Sequence, residues 1–347
     1  MCFVRRLVTI PLAVLLLIVG VATLGAIQIN QFLNTPISID GAGVDFEIES
    51  GSPFGTVAAQ LEQQGIVSSS AKLRLYARLT NRAGAIQAGE YYIEVGTTPR
   101  SLLEQFTSGA VRLYSFTIIE GWNRWDLIKA MHEHPQLSAT ITDEDWPALL
   151  ESLGAELHHP EGLFLPETYH FPRGTADRVL LRQAYDLMQE TLTEEWAQKS
   201  TTSIVKSPYE TLILASIIEK ETARADERPR IAGVFTRRLE KRMRLQTDPT
   251  VIYGIGPGFN GNLTKKNLRT DTPYNTYTRR GLPPTPIAMP GRAAINAALQ
   301  PAYGEELYFV ATGLGDGSHK FSATKAEHDD AVAQYLRRLR SQRNKGR

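Results

Sequence analysis

Apolar and polar positions are distributed unevenly along the chain. Residues 7–27, LVTIPLAVLLLIVGVATLGAI, carry no charge and are long enough to cross a bilayer core of about 30 Å as one helix. Later residues follow the short periods of globular secondary structure. From Val44, VDFEIE has the period of a strand, PFGTVAAQLEQQ and SAKLRLYARL have that of helices, and GEYYIEV is a strand again. TPRSLLEQFTSG predicts a helix capped by Thr97 or Thr98, with Pro99 in its first turn and Gly109 as its stop. VRLYSFTIIEG predicts a strand and NRWDLIKAMHEH an amphipathic helix. Residues 136–160 are more polar and expected to be helical, TDEDWPALLESLG opening on a Thr or Asp cap. EGLFLPETYHFPRG reads as an aromatic, proline-bearing loop. From Pro208 to about residue 302, strong helices alternate with long turn-rich connections. ELYFVATG and HKFSA predict a closing hairpin, and a helix from Thr324 ends in the basic RRLRSQRNKGR.

The expected fold class is α+β. Its parts are a short N-terminal tail (1–6), a membrane helix (7–27), a tether (28–40), a βααβ subdomain (41–110), a larger α+β domain (111–338) and a basic tail (339–347). At 347 residues the length suits roughly two domains. Arg5 and Arg6 precede the apolar run, which by the positive-inside rule leaves the N-terminus in the cytoplasm and exports the rest. A cleaved signal peptide is the rival, with Gly25 and Ala26 as a processing site, but the run is longer than the usual signal core. The formal net charge of +1 argues against a nucleic-acid binder. Cys2 is the only cysteine, so neither an intramolecular disulfide nor a cysteine-based zinc cluster can form.

The stretch ASIIEKETARADE (215–227) carries the sharpest chemical question. If PYETLILASIIEKETARA is one helix, the neighbours of Glu221 three, four and seven positions back are Ile218, Ile217 and Leu214. Those of Glu219 are Ser216, Ala215 and Leu212, a smaller and more polar set. Glu221 is then desolvated, which raises a carboxyl pKa and suits a general acid. The alternative is that Glu221 ends the helix in water and pairs with Arg224.

Other chemistries fare worse. His132, His134, His158, His159 and His170 lack the spacing of a zinc-protease helix, and no metal or cofactor is expected. No G-x-S-x-G elbow is present. GIGPGFNG (254–261) and GLGDGSHK (313–320) read as turns rather than phosphate loops. MRLQTDPTVIYG (243–254) and TPYNTYTRRGLPPTPIAMPG (272–291) are rich in amides, hydroxyls and tyrosines, groups that suit a carbohydrate. Their prolines would stiffen a binding loop.

LILASIIEKETARADERPRIAGVFTRRLEKRMRLQTDPTVIYG, TPYNTYTRRGLPP with PIAMPG, and LYFVATGLGDGSHKFSAT resemble the endolytic murein transglycosylases of the YceG-like (MltG) family, in order from about residue 111 to 338. The 41–110 pattern resembles a LysM-like module, a small sugar-binding fold, with a plain spacer as the alternative. The resemblance implies a single-pass protein of the inner (cytoplasmic) membrane with a periplasmic catalytic domain. Its partners would be peptidoglycan glycan strands, cut internally, and the peptidoglycan synthases whose strand length it limits. It also implies that Glu221, the second Glu of E-K-E-T, is the catalytic acid, and that Glu219, Gln246, Asp248, Asn275 and Tyr277 belong to the pocket. Cleavage of the MurNAc–GlcNAc β-1,4 bond would leave 1,6-anhydromuramoyl ends. A hydrolytic muramidase and a non-catalytic scaffold are the alternatives.

Overall fold

The computed structural model describes residues 2–39, 41–156 and 159–345. His158, Asp40 of the expected tether and the last two residues of the basic tail lie outside the described residues. The chain forms two compact units, Met1–Tyr114 with Phe171–Arg173, and Ser115–His170 with Gly174–Arg347.

In the first unit, α1 (Cys2–Asn34) carries the apolar run unbroken into the segment expected as a tether. No glycine or proline stands between Ala26 and Thr35 to stop it. Phe32 and Leu33 on its last turn join Ile37 in a core with Phe46, Leu61, Tyr91 and Phe106, so the tether is a packed helix end. Upstream, Leu16–Asn34 has a mean hydropathy of 1.8, the composition of a membrane span or a signal sequence. The expected βααβ order is present. β1 (Gly43–Ile48) and β2 (Gly89–Glu94) pair antiparallel with Phe46 opposite Tyr91, and α2 (Phe54–Gln63) and α3 (Ser70–Leu79) lie between them in sequence. In α4 (Pro99–Ser108) it is Thr98 that caps, reciprocally with Ser101, and Gly109 ends the helix at φ 72°.

The strands β3 (Leu113–Thr117) and β5 (Thr168–Pro172) pair, so part of the aromatic segment expected as a loop is a strand. Its buried Tyr169 and Phe171 alternate with exposed Thr168 and His170, a period of two hidden by the flanking prolines. In the second unit α5 (Arg124–Glu133) opens on a reciprocal cap between Asn123 and Asp126. Residues 136–160 hold β4 (Leu137–Ser138) and one short helix, α6 (Trp146–Leu153), rather than continuous helix. Asp145 occupies the cap position of α6, but its carboxylate is taken by the Thr142 amide (2.8 Å) and hydroxyl (2.7 Å). β6 (Thr175–Ala176) pairs parallel with β4. It leads into α7 (Asp177–Ala197), a helix absent from the sequence reading. Leu180, Leu181, Ala184, Met188 and Leu192 give α7 an ordinary apolar stripe.

The centre of this unit is α8 (Pro208–Glu221), packed among α7, α9 (Arg228–Glu240), α10 (Asp248–Ile255) and α12 (Arg292–Leu299). Thr211 to Ile218 are all buried, so α8 has no wet face. A 3₁₀ turn (256–258) follows α10, and α11 (Lys265–Arg269) precedes the proline-rich loop. β7 (Tyr308–Ala311) and β8 (His319–Ser322) form the expected hairpin. α13 (Lys325–Lys345) absorbs most of the basic tail, which is pinned where Gln342 Nε2 donates to the Gly313 carbonyl at 2.9 Å.

Gly233 of α9 shows how tightly this unit is packed. A Cβ there would sit 2.4 Å from the carbonyl oxygen of Ala302 and 2.9 Å from Arg237 Nη1, which donates to that same oxygen. Gly→Ala inside a helix usually stabilises by about 0.5–1 kcal/mol. Overpacking costs about 1–3 kcal/mol, so Gly233→Ala is expected to lower stability in urea unfolding. A gain in stability would show that this contact yields.

Candidate active site

Ser207 caps α8 by accepting the Glu210 amide, and Pro208 fills the first turn. The helix stops at Glu221, earlier than the sequence suggested. Thr222 is extended (φ −148°, ψ 135°), and its hydroxyl accepts the Arg224 amide at 3.0 Å, a local bond that competes with further helix. Arg224 turns away to pair with Asp226 at 2.8 Å rather than with Glu221.

The Glu221 carboxyl therefore stands at the end of a helix buried from Thr211 to Ile218. Its one hydrogen-bond partner among the described residues is the Thr247 hydroxyl, which donates to Oε1, and none of their cations lies within ion-pair distance. Burial raises its pKa above the ordinary value, and the charge of Asp248 adds to this. The Thr247 hydrogen bond opposes the shift, as do the more distant His319 and Arg238.

Thr247 is placed by a buried threonine cluster. Its amide donates to Thr276 Oγ1 at 3.1 Å, and Thr250 Oγ1 donates to its carbonyl at 2.8 Å. Thr247 holds the cap position of α10 but leaves that helix without a side-chain cap, its hydroxyl being turned toward Glu221. Gln246, just before it, has φ 54°, a left-handed conformation that costs a non-glycine residue free energy.

Glu221, Gln246, Asp248 and Tyr277 line one cavity of about 470 Å³ together with Arg238, Tyr308 and His328. The Tyr277 hydroxyl donates to Asp248 Oδ1 at 2.5 Å. Burial and that carboxylate push the phenol pKa up, so Tyr277 stays a proton-bearing donor. Arg238 is held by backbone carbonyls, donating from Nε to Leu307 (2.6 Å) and from Nη1 to Leu245 (2.8 Å). It supplies positive potential without neutralising Glu221.

Two of the residues expected in the pocket lie elsewhere. Glu219, expected on a more polar shoulder, has a side chain only 5% exposed, because α8 is buried on that side too. It pairs with Arg228 at 3.1 Å and accepts the Gly291 amide at 3.1 Å. Burial raises its pKa as well, against the lowering influence of those two partners. Asn275 is fully buried. Its Nδ2 donates to the carbonyls of Asn267 (3.2 Å), Leu268 (3.2 Å) and Thr270 (2.7 Å), and its Oδ1 accepts the Tyr277 amide at 2.8 Å. It positions Tyr277 from behind. Sequence reasoning missed Thr247 and Arg238. The first stands between Gln246 and Asp248 in a motif already singled out, whereas nothing local distinguishes Arg238 from the arginines around it. Among the described residues, no three His, Cys, Asp or Glu side chains gather as a metal site.

The model of the YceG-like family matches residues 46–334. The chain belongs to the YceG-like family. Its match begins at residue 46, well before the motifs around Glu221, and so takes in the βααβ segment. This YceG-like protein is 30% identical over 330 residues, 90% of each chain, to a Bacillus subtilis (strain 168) protein named endolytic murein transglycosylase. A Streptococcus pneumoniae (strain D39) protein of the same name is 27% identical over 322 residues, 83% of this chain and 58% of its own length. The crystal structure of a putative YceG-like protein from Listeria monocytogenes superposes with a TM-score of 0.51 at 26% identity, covering 83% of this chain and 98% of that one.

Asn275→Ala would leave three carbonyls and one amide without their partner. The expected cost is about 1–3 kcal/mol of stability in urea unfolding. Stability unchanged from wild type would show that water replaces the amide there.

Proposed function

We propose that this YceG-like protein is an endolytic peptidoglycan lytic transglycosylase, with Glu221 as its general acid and base. The observation that carries the reading is a partly buried carboxyl with a neutral hydrogen-bond donor and, among the described residues, no paired cation, facing a polar cavity. That environment raises the pKa of Glu221 and so favours the proton-bearing form that a general acid needs. The acid gives its proton to the oxygen of the MurNAc–GlcNAc β-1,4 bond as that bond breaks. The carboxylate, steadied by the Thr247 hydroxyl, then takes the proton of the muramoyl C6 hydroxyl while O6 closes on C1, leaving a 1,6-anhydro end. Gln246, Asp248 and Tyr277 hold the sugar hydroxyls and acetamido groups. The names of the Bacillus and Streptococcus relatives support the substrate class.

On this reading α1 anchors the chain in the cytoplasmic membrane and the catalytic unit works in the periplasm, trimming strands close to the synthases that make them. The βααβ segment is a LysM-like sugar-binding element. One observation favours a second outcome at the same bond. Asp248 is another carboxylate in the Glu221 cavity, and a carboxylate able to activate water would make the enzyme a hydrolytic muramidase. Mass analysis of the products separates anhydromuramoyl from reducing ends.

Glu221→Gln keeps the shape and the Thr247 acceptor but can neither give nor take the proton. Activity on glycan strands should fall by about 10⁴ or more, the upper range of general acid–base assistance. Glu219→Gln should cost clearly less. Near-normal turnover by folded Glu221→Gln, or greater sensitivity at Glu219, would overturn the assignment.

Because the folded pKa of Glu221 is raised, wild type gives up stability as pH climbs above the ordinary carboxyl value near 4.5. Glu221→Gln should therefore melt higher than wild type at neutral pH, and the gap should close as pH falls toward that value. A constant gap would argue against a shifted carboxyl. Thr247→Val removes the bond that favours the carboxylate, so the alkaline limb of kcat/KM should move to higher pH. A limb that stays put or moves down would mean that Thr247 does not act on this proton.

A further inference from the structure

A second cavity, of about 590 Å³, lies on the far side of the same two helix ends. Lys220 and Pro249 line it, and they are the chain neighbours of Glu221 and Asp248. The last turn of α8 and the first turn of α10 thus separate the two spaces. The volume falls within the roughly 300–1,000 Å³ of small-molecule sites.

The lining of this space is not that of the acid's cavity. Trp125, Tyr253 and Phe259 give it aromatic surface. Two neighbours hold Trp125: Arg124 lies 4.4 Å over its ring, and Tyr253 is tilted against it at 5.4 Å. A side chain held in this way loses little freedom when a ligand stacks on it. Lys129 and Lys220 add two ammonium groups. Lys129 is 74% exposed and only 3.9 Å from Glu133, while Lys220 Nζ donates to the Gly121 carbonyl at 3.0 Å. Asp126 also lines the space, but its carboxylate accepts the Asn123 amide as part of the α5 cap.

An aromatic floor with cations at its edge suits a pyranose that carries an anionic arm. The apolar face of the ring stacks, and the carboxylate of a lactyl group or its peptide meets the ammonium groups. We infer that this cavity is a distal subsite for the glycan strand, holding a muramoyl residue beyond the pair that flanks the scissile bond. The inference rests on the reading of Glu221 as the acid of a glycan-cutting enzyme. Internal cutting supplies the reason for it, since a strand cut away from its ends must continue past the acid on both sides. The subsite makes the enzyme prefer long strands to fragments.

The test uses full-length protein in detergent, long uncrosslinked glycan strands and a muramoyl tetrasaccharide. Trp125→Ala should shift the ratio of kcat/KM values, strand over tetrasaccharide, by about tenfold against the strand, the scale of one lost stacking contact. Lys129→Glu, an exposed change that leaves folding alone, should shift the same ratio in the same direction through KM. That shift should shrink as salt is raised. Ratios unchanged in both variants overturn the subsite, as does an equal loss on both substrates. Should Trp125→Ala melt early, the Lys129→Glu ratio alone decides. A parallel measurement separates this inference from the reading beneath it. In the Glu221→Gln background, co-sedimentation with strands should weaken about tenfold on adding Trp125→Ala. If wild type cuts nothing but this binding loss appears, the catalytic reading fails and the strand site stands. If wild type cuts strands and the binding loss is absent, the subsite fails alone.

Discussion

Helix α8 buries every residue from Thr211 to Ile218, and a helix with no wet face must find polar partners for whatever polar groups it carries. Ser216 meets the demand locally, donating to the Ile213 carbonyl and accepting the Ile287 amide. The two glutamates near its end meet it in opposite ways. Glu219 is given a guanidinium and a backbone amide, which favour its anion against the pull of burial and tie α8 to the start of α9 and to Gly291. Glu221 is given a hydroxyl and a cavity. Desolvation raises both carboxyls, so burial alone does not tell an acid from an anchor. The charge of the partner does. A buried carboxylate stripped of a cation partner is costly to hold, and its neutral form is the cheaper one.

The surroundings of Glu221 are correspondingly rigid. Thr247, Thr250 and Thr276 bond one another and the backbone, Asn275 gathers three carbonyls, and Arg238 is tied to the Leu245 and Leu307 carbonyls. These groups are already engaged and are not free to relax toward Glu221. Thr247 shows what this arrangement gives up, since its hydroxyl would ordinarily cap α10 and instead leaves that helix without a side-chain cap. The left-handed backbone at Gln246 is a second such sacrifice, one residue away.

Much of this was legible before any coordinates. The order of elements in the first unit, the cap at Thr98, the closing hairpin and the desolvation of the Glu221 carboxyl follow from periods and caps that act over a few residues. The misses have physical causes. Pro166 and Pro172 masked the alternation that makes β5, and two-residue strands such as β4 and β6 have no periodic signal at all. The expected shoulder for Glu219 assumed a helix with an inside and an outside, and α8 has only an inside. Asn275 is placed in the pocket only by the family resemblance of its motif. Whether an amide faces a cavity or its own loop depends on carbonyls at Asn267, Leu268 and Thr270, which no pattern in the sequence marks as unpaired. Thr247 was visible as a residue, but its role exists only because α10 begins beside the end of α8.

Helix α1 follows the same logic of partners. Its upstream part exposes Val14 and Leu16 to Val19, surface that soluble packing would not leave bare over such a length. Phe32 and Leu33, one turn from its end, are buried in the core of the first unit beside Ile37. A flexible tether would have let that unit swing freely from its anchor. A helix whose last turn belongs to the core instead fixes the unit to the axis of α1, because bending there would expose Phe32 and Leu33 to water. For an α1 that spans a membrane, the βααβ segment would then be held at the bilayer surface, at a height set by where the apolar run ends. Under the proposed reading, a short reach from that surface would suit a glycan strand still being made there.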